Sequence, residues 1–202
     1  MSSIYNLKPA FQNLLRPSSN WLAKQSITPN QVTVAAVLLS LFCGLLINFY
    51  PQAHRLWLLI PLVLLLRMIL NAIDGMLARE HQMQSAFGTF LNELGDVLSD
   101  TFLYLPFALV PGIVPLLIIS IVVLAIISEM TGVIAIQIGA KRRYDGPMGK
   151  SDRAFVFGMI SLLVGFGIQA SWVINLLLYA MLIMLILTIR NRINQALIEV
   201  QL

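Results

Sequence analysis

The chain has 202 residues, 58% of them hydrophobic and only 11% charged, with a net charge of +4. Soluble domains carry about 25% charged residues, so this composition excludes a soluble globular fold, and disorder would need still more charge. One cysteine, Cys43, and two histidines, His54 and His81, exclude a disulfide framework and a zinc finger.

An all-α integral membrane protein fits what remains. The core of a bilayer is about 30 Å thick and takes about 20 apolar residues of helix per crossing. Residues 1–28 are read as an interfacial segment and not as a signal peptide, because no continuous apolar run precedes Pro29. Within it Ile4, Leu7, Phe11, Leu14 and Leu15 recur at helical spacing among Lys8 and Arg16. That pattern predicts an amphipathic helix lying on the membrane surface. Pro17 and Ser18-Ser19 are expected to break it, leaving Trp21, Leu22 and Lys24 in a second short piece.

Residues 29–202 read as one domain of six transmembrane helices. The first predicted span runs from Pro29 to Phe49, with Thr28 as its N-cap and proline at the first helical position. The second runs from Arg55 to Ala78. The third runs from Phe87 to Leu109, and Pro111-Gly112 turns the chain. The fourth covers Ile113 to Ile138, the fifth Arg153 to Ile168, and the sixth Trp172 to Ile189. Trp21, Trp57 and Trp172 fall at span ends and read as interfacial anchors. Cys43 reads as a small core hydrophobe.

Six spans put Lys8, Arg16, Lys24, Arg79, Lys141, Arg142, Arg143, Lys150, Arg153, Arg190 and Arg192 on one side of the membrane. Arg55 alone falls on the other. This asymmetry predicts both termini in the cytoplasm. The basic excess therefore answers to topology and anionic membrane lipids, and no nucleic-acid partner is expected.

The acids are not spread evenly. Asp74 falls in the second span, Glu93, Asp96 and Asp100 in the third, and Glu129 in the fourth. A charge inside a span costs about 2.5–3.5 kcal/mol on insertion scales, so each should have a partner or a function. Asn71, Asp74 and Ala78 share one helical face, and so do Asn92, Asp96 and Asp100. At 1.5 Å per residue, Asp74 and Asn92 lie roughly 6–7 Å below the cytoplasmic surface, Asn71 and Asp96 roughly 12 Å. Oxygen donors at matching depths suit a hard cation, Mg²⁺ or Mn²⁺. Arg67, Asp100 and Glu129 fall deeper, near 18 Å by the same rise. They are expected to form a structural ion pair, Arg67 with Asp100 or Glu129.

The run Asn71-Ala-Ile-Asp74-Gly75-Met-Leu-Ala78-Arg79, eight residues, then Gly88-Thr-Phe-Leu-Asn92-Glu93-Leu-Gly-Asp96 resembles one signature. It is that of the CDP-alcohol phosphotransferase (CDP-alcohol phosphatidyltransferase) family, D-x-x-D-G-x-x-A-R-x8-G-x-x-x-D-x-x-x-D. Every spacing is intact. Asn71 and Asn92 stand where the pattern has its first and third aspartates, so this is a divergent member.

The resemblance implies a membrane transferase of phospholipid biosynthesis, working as a homodimer in the bacterial inner membrane. It would move a phosphatidyl group from a CDP-alcohol, here CDP-diacylglycerol, to a small polyol or polyol phosphate, releasing CMP. By position, Asp74 and Asp96 would bind metal, Asp96 would also be the base, and Asn71, Asn92 and Glu93 could add oxygens. Gly75, Ala78, Arg79 and Gly88 would meet the nucleotide. Lys150 and Arg153, in a Gly-Lys-x-x-basic element, would bind a phosphate of the acceptor or lipid, unless they serve topology alone. Two alternatives stay open. One is a weakened or inactive relative that binds nucleotide-lipid, and the other a small cation carrier.

Overall fold

The computed structural model describes residues 3–168 and 171–201, with side chains from residue 11 onward. The expected stripe residues Ile4, Leu7 and Lys8 have side chains outside that description. Among the described residues there are seven α-helices and no strand. In chain order they are α1 (Ser3–Lys24), α2 (Pro29–Phe49), α3 (Leu59–Glu80), α4 (Ala86–Tyr104), α5 (Pro115–Gln137), α6 (Lys150–Gly165) and α7 (Ser171–Gln201). Short 3-10 turns at His54–Leu58 and Leu105–Leu109 precede α3 and follow α4. Each predicted span corresponds to a helix.

Four stretches are long and apolar enough to cross a membrane: Pro29–Phe49, His54–Glu80, Pro115–Gln137 and Ser171–Gln201. α4 and α6 fall outside that set. α4 carries Glu93, Asp96 and Asp100 within 19 residues, and α6 has only 16 residues and opens Lys-Ser-Asp-Arg. The three acids thus set α4 apart, and α6 is set apart by its length.

The chain divides into two compact units, Met1–Phe42 with Leu62–Ser99, and Cys43–Pro61 with Asp100–Leu202. The first unit is built on α1 and on parts of α2, α3 and α4. Val32, Ile73 and Leu77 form a buried cluster there, and Leu15, Leu22, Ala23 and Ile27 pack on it. The start of α2 is closed by a reciprocal cap. Gln31 N–H donates to Thr28 Oγ1 at 3.3 Å, and Thr28 N–H donates to Gln31 Oε1 at 2.9 Å.

One expectation is corrected here: α1 runs unbroken through Pro17 to Lys24. An interior proline costs a helix about 3 kcal/mol, so tertiary contacts must offset it. Two are visible. Leu15 and Leu22, on either side of Pro17, dock on the cluster, and Arg16 grips Glu80 of α3 in two parallel bonds of 3.2 and 3.1 Å. The Glu80 hydrogen bond, with its charge, holds the Arg16 guanidinium above its ordinary pKa.

In the second unit α5 packs along α7, and α6 packs on the His54–Leu58 turn. Tyr104 stacks on Phe157 at 4.0 Å between ring centres, and Trp57 meets Phe107 edge-on at 4.8 Å. Here a second expectation is corrected. Trp57 is fully buried, with its Nε1–H donated to the Pro51 carbonyl at 3.1 Å, so it is a core residue and not an interfacial anchor. The ring of Phe107, itself packed on Phe157, offers it a better cover than headgroups would. Trp21 and Trp172 remain exposed, and Cys43 is buried as expected.

Trp57→Ala should therefore destabilise the protein by about 3–5 kcal/mol, and Trp21→Ala by under about 0.5 kcal/mol. Thermal unfolding in detergent micelles distinguishes the two.

Candidate active site

The first unit brings the two predicted acid faces together. Asn71 of α3 points its Nδ2 at Asp96 of α4 and donates to Oδ1 at 2.9 Å. Arg67, one helical turn before Asn71, holds its Nη2 3.9 Å from the same oxygen and 3.4 Å from the Asp96 carbonyl. Asp74 is buried, and Thr33 Oγ1 of α2 donates to its Oδ2 at 2.7 Å. Thr33 was not singled out from the sequence. The signal lay in its position one turn after Pro29, on the face of α2 that must meet α3.

A cavity of about 290 Å³ lies over this corner. Asn30 and Thr33 line it from α2, Asp74, Gly75, Ala78 and Arg79 from α3, and Gly88, Asn92 and Glu93 from α4. Six of the residues expected to meet nucleotide or metal thus face one cavity with Glu93, while Asn71 and Asp96 are not part of its described lining.

Local geometry explains the glycines. Arg79 folds back over Gly75, so that a Cβ there would lie 2.9 Å from its Nη2. A Cβ on Gly88 would lie 2.7 Å from Asn30 Oδ1. The α3–α4 turn is set by Gln82 in the left-handed region, φ 55°, and by Met83 N–H returning to the Ala78 carbonyl at 3.1 Å. That Schellman closure stops α3 just after Arg79 and delivers Ser85, whose Oγ accepts from Gly88 N–H at 3.0 Å.

The donor set is all oxygen: carboxylates of Asp74, Asp96 and Glu93, amides of Asn71 and Asn92, and the Thr33 hydroxyl. Such donors fit Mg²⁺ or Mn²⁺ and not a soft metal. Among the described residues no three Asp, Glu, His or Cys side chains gather closely enough to hold an ion by themselves. Water, amide oxygens or a phosphate must complete any shell.

The second unit holds a separate charge cluster around Glu129 of α5. Arg153 Nη2 lies 3.0 Å from Glu129 Oε1 and 3.4 Å from Asp100 Oδ2. Arg192 Nη1 lies 3.5 Å from Oε1, and Arg142 Nη2 lies 3.7 Å from Oε2. Asp100 and Glu129 are thus both held by Arg153, while Arg67 is described against Asp96. From the sequence Arg192 reads as a topology charge. Its signal was periodic: Ile174, Leu178, Met181, Leu185, Thr188, Arg192 and Ala196 form the buried stripe of α7.

In the Lys141–Arg143 stretch, expected to face headgroups, Arg143 has carboxylate partners within the chain. Arg143 binds Asp145 at 2.8 Å and Glu199 at 2.7 Å, and the Asp145 hydrogen bond leads in raising its pKa. Lys150 opens α6 half-buried. The Gly149 N–H at that helix start is taken by Asp152 Oδ2 at 2.9 Å.

A model of the CDP-alcohol phosphatidyltransferase family matches residues 26–197. The chain belongs to that family. It is 45% identical over 196 residues to the inner membrane protein YnbA of Escherichia coli, with 97% of each chain covered. It is 34% identical over 103 residues to the archaetidylinositol phosphate synthase of Pyrococcus horikoshii, covering 51% of this chain and 52% of that one. Its fold is similar to the crystal structure of Mycobacterium tuberculosis phosphatidylinositol phosphate synthase in complex with manganese and citrate. The TM-score is 0.71 at 15% identity, covering 89% of this chain and 87% of that one. With its apolar helices, this member of a phospholipid-synthesis transferase family is an integral membrane protein.

Glu129→Gln should leave three guanidiniums around a neutral amide. The expected loss is about 3–5 kcal/mol of stability, read from the unfolding midpoint in micelles. Arg142→Gln, farther from Glu129 and partly exposed, should cost well under half of that.

Proposed function

We propose that the protein transfers a phosphatidyl group from CDP-diacylglycerol to a small polyol phosphate and releases CMP. The observation that carries this reading is the cavity in which Asp74, Gly75, Ala78, Arg79, Gly88 and Asn92 converge, beside the Asn71–Asp96 hydrogen bond. A helix end whose side chains are small at positions 75 and 78 admits a flat base, and Arg79 can pair with a phosphate through two N–H groups.

In this reading Asp74 and Asp96 would hold the divalent ion, and Asn92, which lines the cavity with Asp74, would add an amide oxygen. When bound, the ion neutralises charge on the pyrophosphate. Asp96 takes the proton of the acceptor hydroxyl. That oxygen bonds to the β-phosphorus, the bond from this phosphorus to the bridging oxygen breaks, and CMP leaves with the electron pair. Arg67 and Asn71 hold the Asp96 carboxylate in place for that proton.

A phosphorylated acceptor is supported by the second cluster. Arg142, Arg153 and Arg192 are described against the carboxylates of Glu129 and Asp100, three positive charges to two negative. Nε and Nη1 of Arg153 and Nε of Arg192 are buried without a described hydrogen-bond partner. Buried N–H groups of this kind are costly unless something accepts from them, and a phosphate would. Lys150 adds a further cation three residues before Arg153. The same proposal includes six spans, both termini in the cytoplasm, and α1 lying at the interface with Leu14 and Trp21 toward lipid.

The two asparagines favour a second reading, a relative that binds nucleotide-lipid without turnover. Purified protein with labelled CDP-diacylglycerol, Mn²⁺ and a panel of alcohols and alcohol phosphates separates the two. Transfer predicts CMP release that falls about 10²–10⁴-fold in Asp96→Asn. Lys150→Ala should raise KM for the phosphorylated acceptor while kcat changes little. No release with any acceptor, together with retained CDP binding, would leave only the second reading.

A further inference from the structure

We infer that this site takes a single divalent cation per chain, and that Asn71 has become a positioning residue for Asp96 in place of a metal ligand. The inference rests on the reading of the α3–α4 corner as a metal and CDP site, and it concerns what the two asparagines do there.

The first observation is the direction of the Asn71 amide. At 2.9 Å from a carboxylate oxygen only its nitrogen can face Asp96, because two oxygens would repel. Asn71 therefore donates at the place where a carboxylate would have to accept from a cation. An aspartate could not make this contact with an ionised Asp96.

The second is the company of that oxygen. Asp96 Oδ1 receives Asn71 Nδ2 and lies 3.9 Å from Arg67 Nη2, which is itself buried. An N–H donor and a guanidinium thus already direct positive charge at Asp96. The third is Asn92. It lines the cavity with Asp74 but brings no charge, and no group of three acids forms among the described residues.

The corner offers Asp74 and Asp96 to a cation, and Glu93 lines the same cavity as Asp74, so three carboxylates stand against the two guanidiniums of Arg67 and Arg79, a net charge of one negative. One divalent ion matches two carboxylates. A second would meet no carboxylate beyond Glu93, with two guanidiniums close by. A carboxamide oxygen from Asn92 can complete the shell of the first ion but cannot replace the missing charge.

The test counts ions on the full-length chain in phosphatidylcholine nanodiscs containing CDP-diacylglycerol. Mn²⁺ is titrated, and the free ion is followed by electron paramagnetic resonance. The expected result is one Mn²⁺ per chain with an uncoupled spectrum. Asp74→Asn should weaken that binding at least tenfold, and N71D/N92D should bind two ions with a spin-coupled spectrum. Two coupled ions in the unaltered chain would overturn the inference while leaving the metal site intact. No bound ion in the unaltered chain would overturn the metal reading itself. If the double variant does not run as a monodisperse species, N92D alone and the count on the unaltered chain decide the matter.

Discussion

Charge buried among apolar helices needs a partner, and most of the structure can be read as the set of partners found. The helices are apolar enough that an isolated carboxylate or guanidinium inside them would be expensive. Asp74 therefore takes a hydroxyl from Thr33, Asp96 takes an amide and a guanidinium, and Glu129 takes three arginines. These pairings cross-link helices far apart in sequence. They set which faces of α2, α3 and α4 meet in one unit, and of α5, α6 and α7 in the other.

The same constraint links the fold to the chemistry. A carboxylate kept ionised at low dielectric is a ready ligand for a hard cation and a ready acceptor for a proton. The number of carboxylates matters as much as their position. Two divalent ions about 4 Å apart repel by about 16 kcal/mol at an effective dielectric near 20. Sites with two metals offset this with several acids. Replacing two of them by amides keeps shape and hydrogen bonding while removing the charge that would hold a second ion.

Much was legible along the chain because hydropathy and spacing are local. Four apolar runs, the Thr28–Pro29 start of α2 and the shared faces of Asn71 with Asp74 and of Asn92 with Asp96 need no tertiary information. Errors came where a distant surface overrode a local preference. Pro17 reads as a breaker, but α1 continues because Leu15, Leu22 and Arg16 dock on the first unit. Trp57 reads as an anchor at a span end, but it is buried with the ring of Phe107 edge-on against it. Arg192 reads as a cytoplasmic charge, but it lies on the buried stripe of α7 beside Glu129.

Composition and periodicity alone determined that this is a helical membrane protein, and the spaced Asp, Gly, Ala and Arg residues carried its resemblance to the CDP-alcohol phosphatidyltransferase family. These properties follow from how many apolar residues stand in a row and which side chains share a helical face. Only the tertiary structure decided how the buried charges are apportioned: Asn71 and Arg67 to Asp96, Thr33 to Asp74, Arg153 to both Asp100 and Glu129. A sequence shows that a buried charge must have a partner, but several candidates satisfy that demand equally well on paper. Which one does so depends on distances of 3–4 Å between helices, and those are set by packing.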